Sequence, residues 1–378
     1  MSRLRERLDE LRPPGEAEAR ERAWAVVEAA YAERSPVTPP RRRRRLVAVA
    51  LAALLALVTV GAAATSAGRG VVTELRRVIG VERAQPALFS LPATGRLLVV
   101  SDGGAWVVRT DGSRRLLGRY REASWSPFGR FVVAARRNEL AALEPDGDVR
   151  WTLARRDVRF PRWTGSRTDT RVAYADRIGI HVVAGDGTGD RLIAAAEQGP
   201  LAWRPGTHEL AYVSASEVVV QNADTARVVW RATRGLPEPV TAIEWSSDGR
   251  RLLVLSPGAL RVYDARGRLV ARNDPAEGWP NVDASFRPGT HQVAVARVHG
   301  AQSTVFRLGD GRTLFGGSGV FTGIAWSPDG RWLAVGWPTA DQLVFVRAEG
   351  ARRLRAVADV SGQFRSRAFP RLGGWCCP

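Results

Sequence analysis

An aromatic residue followed by a proline–glycine turn returns about every forty residues along three quarters of this chain. Trp125-Ser-Pro-Phe-Gly-Arg130 is echoed by Trp203-Arg-Pro-Gly-Thr-His208, Trp245-Ser-Ser-Asp-Gly-Arg250, Phe286-Arg-Pro-Gly-Thr-His291 and Trp326-Ser-Pro-Asp-Gly-Arg331. Degenerate copies open at Phe89 and Trp163. Subtracting positions, the steps between the seven aromatics are 36, 38, 40, 42, 41 and 40 residues. A period of that size, with strand-like segments and no helical pattern between copies, is the spacing of propeller blades.

Each copy leads into a short apolar run, such as Phe131 to Ala135, Leu252 to Leu255 or Trp332 to Val335. These runs are short, β-branched and bounded by turn residues, which reads as buried strand. Proline presets φ at the second position of the turn, and the glycine after it accepts the left-handed conformation that closes a hairpin. A second hairpin signal follows in most repeats, at Asp111-Gly112, Asp146-Gly147, Asp186-Gly187 and Asp310-Gly311. Two hairpins per repeat give about four strands. The expectation is an all-β, seven-bladed propeller of four-stranded blades, with six or eight blades as alternatives because the terminal copies are irregular. Phe369, 43 residues after Trp326, marks the region expected to supply a ring-closing strand. The leading aromatics are large enough to fill the seams between blades, and their repetition points to packing.

The aromatic–Ser-Pro-Asp-Gly-Arg pattern resembles the TolB-type propeller repeat, a relative of the WD repeat. Trp326 to Arg331 matches it in full, while Phe128 and Ser247 depart from it in two other copies. The resemblance implies a propeller from Phe89 to the C-terminus, and propellers of this kind serve many roles.

Residues 1–45 differ in character from the repeats. Leu4, Leu8 and Leu11 share a helical face before Pro13-Pro14-Gly15, and Glu16 to Glu33 is helix-forming in composition. Trp24, Val27 and Tyr31 lie on one side of that segment and are candidate partner-binding residues; the alternative is a partly disordered tail. Leu46 to Ala64 is almost purely apolar and follows five arginines, Arg41 to Arg45. Its nineteen residues rise about 1.5 Å each, close to the thickness of a bilayer core. The arginine block predicts a cytoplasmic N-terminus and an extracytoplasmic propeller at the plasma membrane. A cleaved signal peptide is the competing reading, and a 45-residue leader argues against it. The organisation expected is therefore tail 1–45, transmembrane helix 46–64, linker 65–86 and propeller 87–378.

The formal charge of +18 does not identify a nucleic-acid binder. Residues 1–45 hold 12 Arg and 8 acids, leaving 44 and 30 for the remainder; every basic residue is arginine, and they are scattered through turns and strands. With the propeller outside the cell, an acidic protein, lipid headgroups or an anionic wall polymer fit better. Cys376 and Cys377 are the only cysteines; adjacent in sequence, they can form a vicinal disulfide, link two chains or stay idle, and an idle or adventitiously oxidised pair is expected. His208 and His291 stand where other copies have arginine, so they are spread around the ring. Asp186-Gly-Thr-Gly-Asp190 has a faint likeness to a calcium loop, outweighed by its hairpin position. No catalytic, cofactor or metal residues are assigned. The function expected is a non-enzymatic, membrane-anchored platform with a protein partner on the propeller and a cytoplasmic regulator on the N-terminal helix. The alternatives are an enzyme acting on envelope carbohydrate, marked by acids with raised pKa values converging at the channel, and a TolB-like envelope-assembly component.

Overall fold

The computed structural model describes residues 90–377 apart from 166–168, 196–198, 216, 234–238 and 351–352. The tail, the apolar run Leu46–Ala64 and the linker lie outside the described residues, and with them Trp24, Val27, Tyr31 and Phe89. Among the described residues no helix is long and apolar enough to cross a membrane.

The described chain forms seven four-stranded antiparallel sheets. The first takes β1 (Arg96–Ser101), β2 (Gly104–Val108) and β3 (Arg114–Gly118). The second holds β4 (Glu122–Trp125), β5 (Val132–Arg136), β6 (Glu139–Leu143) and β7 (Val149–Ala154). In the third are β8 (Arg159–Gly165), β9 (Thr170–Ala175), β10 (Ile180–Ala184) and β11 (Arg191–Ala194). The fourth has β12 (Ala202–Trp203), β13 (Glu209–Ser214), β14 (Glu217–Asn222) and β15 (Val228–Thr233), and the fifth β16 (Ala242–Trp245), β17 (Arg251–Ser256), β18 (Ala259–Asp264) and β19 (Leu269–Asn273). The sixth is β20 (Asn281–Phe286), β21 (Val293–His299), β22 (Gln302–Arg307) and β23 (Thr313–Ser318); the seventh is β24 (Thr322–Trp326), β25 (Trp332–Trp337), β26 (Gln342–Arg347) and β27 (Leu354–Ala358). The last strand, β28 (Arg371–Cys376), returns to the first sheet and pairs antiparallel with β1.

Burial explains the sequence pattern strand by strand. Second and third strands such as β5, β6 and β17 are buried almost throughout, because both their faces meet a neighbouring blade. The fourth strands lie on the outer rim, and β7 and β19 alternate between exposed and half-buried residues. The core divides into seven apolar clusters, one per seam between adjacent blades. One of them joins Leu97 and Trp106 of the first blade to Ala334 and Phe345 of the seventh, so the ring is closed. The repeat turns behave as expected, with Gly249 at φ 66° and Gly330 at φ 64°. A side chain on Gly330 would also press on the Pro288 carbonyl and the Arg287 stem of the preceding blade.

The first copy of the repeat departs from the sequence reading. In every other blade the leading aromatic faces an aliphatic residue of the second strand, as in Val132↔Trp125, Leu210↔Trp203, Leu252↔Trp245 and Leu333↔Trp326. It ends the innermost strand in all of them but blade three, where Trp163 faces Val172 and β8 runs on to Gly165. The equivalent pair in blade one is Leu97↔Trp375. Trp375, and not Phe89 or Phe369, is therefore the aromatic of that copy. Its turn lies at the other end of the propeller segment, in Pro92-Ala-Thr-Gly-Arg96, so the motif is split between the two ends of the ring. Trp375 meets Phe345 of blade seven edge-on, with centroids 5.5 Å apart. Next to it Cys376 and Cys377 are bonded to each other, the vicinal pairing among the alternatives the sequence leaves open. They seat against the first turn of blade two, near Ser126, Pro127 and Gly129.

Because Trp375 fills a seam and completes the ring, Trp375→Ala is expected to cost about 3–5 kcal/mol of unfolding free energy, the range for burying-to-cavity changes of aromatics. Arg272→Ala on the exposed rim strand β19 should stay within about 0.5 kcal/mol. Guanidinium melts of the two variants check this, and equal stabilities would refute the closing role of Trp375.

Candidate functional site

Each blade sends its aromatic-led turns and Asp-Gly hairpins to one end of the ring, and its remaining loops to the other. The innermost strands β4, β8, β12, β16, β20, β24 and β28 wall a central channel. At its centre is a cavity of about 620 Å³ whose wall carries Glu122, Arg159, Arg162, Asp283 and Arg371, with Thr241 and Thr322 supplying hydroxyls and Phe160, Ile243, Phe369 and Leu372 apolar surface. Sheet alternation decides who faces it, since every second residue of an inner strand points inward. Arg162 and Glu244 each precede the leading aromatic by one residue; Glu122 and Asp283 precede it by three.

The channel carboxyls stitch blades together. Glu122 accepts the Phe160 N–H of the next blade at 2.6 Å and the Arg159 guanidinium at 3.1 Å. Glu244 accepts the Ser285 hydroxyl at 3.1 Å and the Phe286 N–H at 3.2 Å. Asp283 accepts the Ile324 N–H of blade seven at 2.8 Å and its neighbour Ala284 N–H at 2.8 Å. Burial pushes the Glu244 carboxyl up to about 8, with the Asp283 charge adding to the rise. Burial likewise raises Asp283 to about 6, against the pull of its two N–H partners. Arg162 is lowered, first by burial and then by the nearby Arg371 charge, which outweigh the attraction of Glu122 and Glu244.

A second charged feature lies on the loop end beside blades one to three. Arg119 and Arg121 in the β3–β4 connection and Arg136 and Arg137 in the β5–β6 turn line a hollow of about 350 Å³. It adjoins a smaller one of about 230 Å³ that reaches Arg159. Glu139 pairs with Arg136 at 2.6 Å and Asp157 with Arg177 at 2.6 Å. Arg119, Arg121 and Arg137 are exposed, and among the described residues no carboxylate lies within ion-pair distance of them.

The histidines are dispersed. His208 Nδ1 lies 2.5 Å from Asp224 Oδ2 in blade four, and His291 Nε2 lies 2.9 Å from Asp248 Oδ2 across the seam between blades five and six. His181 stacks on buried Tyr174, and His299 on the half-exposed Trp279 at 3.8 Å between centroids. Asp186 caps its own turn through Thr188 N–H and hydroxyl, while Asp190 accepts the Tyr174 hydroxyl at 2.8 Å and Arg155 at 2.5 Å. The two ends of that loop thus serve separate structural bonds. Sequence reasoning missed the channel residues. Aligning the seven copies on their aromatic offers the signal: at the preceding position Arg162 and Glu244 stand among Ser124, Ala202, Ser285, Ala325 and Gly374.

The raised carboxyls give a pH signature. Glu244 holds its proton to about pH 8 in the fold, whereas in the unfolded chain it releases it near the ordinary 4.5. Its contribution to stability is complete below about pH 4.5 and is lost as pH rises through 8. Unfolding free energy of the native protein should therefore fall relative to Glu244→Gln between pH 5.5 and 9, by up to about 1.4 kcal/mol per pH unit. Denaturant melts across that range test it, and parallel curves for the two proteins would refute it.

Comparison with known proteins agrees with this architecture. The model of the WD domain, G-beta repeat family matches residues 310–346, one repeat length reaching from the last hairpin of blade six through β26. No curated protein matches the chain. The crystal structure of the C-terminal WD40 domain of Sif2 aligns with a TM-score of 0.53 over 78% of this chain and 89% of that one, at 14% identity. That likeness concerns the fold alone, a β-propeller, and the seven four-stranded blades of this chain agree with it.

Proposed function

We propose that the protein is a non-enzymatic binding platform: a TolB-like propeller held at the plasma membrane by a single span, Leu46–Ala64, with its N-terminus in the cytoplasm. The carrying observation is the arginine-lined hollows on the loop face, where Arg119, Arg121 and Arg137 have no carboxylate partner among the described residues. Loops on a rigid ring hold such groups in fixed relation, which favours recognition of an extended acidic protein surface. The charge run before the apolar segment supports the orientation. The amphipathic stripe of Trp24, Val27 and Tyr31 supports a cytoplasmic regulator that senses occupancy outside. Trypsin added to spheroplasts should digest the propeller and spare residues 1–45; protection of the propeller would overturn the topology. Residues 1–45 should capture a partner that Trp24→Ala with Tyr31→Ala releases, and the same capture by both would overturn the contact.

A second reading, an enzyme acting on envelope carbohydrate, draws on Glu244 and Asp283, two channel carboxyls with raised pKa values. Their oxygens already accept hydrogen bonds from the next blade, which favours the stitching role. Glycan hydrolysis by the native protein, abolished in Asp283→Asn, would reverse that preference.

A further inference from the structure

The platform reading assigns nothing to the central channel. Its cavity of about 620 Å³ has the size that holds a small organic ligand. Two of its wall cations lack a counter-ion. Arg159 is paired with Glu122, but among the described residues no carboxylate comes within ion-pair distance of Arg162 or Arg371. The Arg162 guanidinium donates to the Pro161 carbonyl at 3.0 Å, and that of Arg371 to the Arg121 carbonyl at 2.6 Å. Each fork carries five N–H donors, so most of both forks is left without a protein partner. The neighbouring carboxylates do not take them up, because Glu122, Glu244 and Asp283 are held by the backbone or side chains of the next blade. Strands β8 and β28 flank β4 on either side, so the two arginines come to one volume from two different blades. Burial lowers Arg162 and the Arg371 charge adds to that, while the Glu122 and Glu244 charges oppose it without reaching ion-pair distance, so the guanidinium is desolvated with room for an anion at its fork.

From this arrangement we infer that the channel is a binding site for a small organic oxyanion, a carboxylate or phosphate monoester with an apolar body. Arg162 and Arg371 hold the charged head, since the planar guanidinium fork matches such oxygens bidentately. Phe160, Phe369 and Leu372 receive the apolar body, and the hydroxyls of Thr241 and Thr322 lie on the same wall. Arg121, at the loop end beside Arg371, adds positive potential at the mouth.

Isothermal titration of the full-length protein in detergent micelles with phenyl phosphate, benzoate and inorganic phosphate tests the assignment. Saturable binding of phenyl phosphate or benzoate is expected, and the tighter of the two identifies the head group. Arg371→Gln, at an exposed position, should weaken it at least tenfold. Ala242→Phe, which narrows the channel and keeps every charge, should abolish it, while Arg272→Gln should leave it unchanged. No saturable binding of either aromatic anion, or equal affinity in native protein and Arg371→Gln, would overturn the site. Inorganic phosphate bound as tightly as phenyl phosphate would overturn the apolar half of the inference. Failure here leaves the platform reading standing, since that rests on the loop face and not on the channel.

Discussion

The pairing of β28 with β1 joins residues about 270 positions apart, and the ring exists only once it forms. Nearly all other strand pairing is between chain neighbours, so each blade can assemble locally while the circle cannot. Bringing the ends together costs loop-closure entropy that grows slowly with length. Against it stand a full set of ladder hydrogen bonds and the apolar seam containing Leu97, Phe345, Phe364 and Trp375. Splitting one repeat between the two ends makes the last seam as well packed as the other six, because the closing blade presents the same aromatic in the same register.

The seams themselves repeat a second device. Arg96, Arg204 and Arg287 reach from blades one, four and six to the turn glycine of the following blade, donating to the carbonyls of Gly129, Gly249 and Gly330 at 2.7, 2.8 and 2.8 Å. Each guanidinium also lies over the aromatic of that blade, 5.2 to 5.9 Å from the ring centroid of Trp125, Trp245 or Trp326. Cation–π contact and a charge-assisted hydrogen bond thus lock a turn to its neighbour. Glu209 and Gln292 steady two of these arginines from the next strand. From blade four to blade seven arginine and serine alternate after the aromatic, as Arg204, Ser246, Arg287 and Ser327, and the serine accepts a backbone N–H inside its own turn.

What was legible in the sequence followed what packing repeats. Trp125, Trp203, Trp245, Phe286 and Trp326 announced their seams because every blade needs a large apolar side chain at one register. Trp375 stayed hidden because the turn that should follow it lies at the other end of the ring, and Phe89, at the expected spacing, stood in for it. The seating of the cysteine pair is hidden for a related reason: nothing in Cys376-Cys377 says that the strand holding Trp375 brings it against the blade-two turn. The channel was illegible because a repeat pattern averages over copies, whereas a channel is made of the differences between them.

That contrast gives a physical rule for where function resides in such a ring. Seam positions are constrained sevenfold, and even the bulged, proline-free Trp163 copy keeps its aromatic buried and stacked on Phe131. Wall positions bond a neighbouring blade in some copies, as Ser124 and Ser285 do, but share no common apolar register, and five of the seven residues just before the aromatic are small or hydroxylic: Ser124, Ala202, Ser285, Ala325 and Gly374. Charged side chains at the other two, Arg162 and Glu244, carry a desolvation cost that a serine or alanine would not. Glu244 meets part of it by staying protonated and bonding the next blade. Arg162 has neither recourse, since a guanidinium keeps its charge and among the described residues no carboxylate comes within ion-pair distance of it. Where arginine supplies every Lys/Arg charge of the chain, total charge separates nothing; a cation enclosed by the ring with no carboxylate in ion-pair distance among the described residues does.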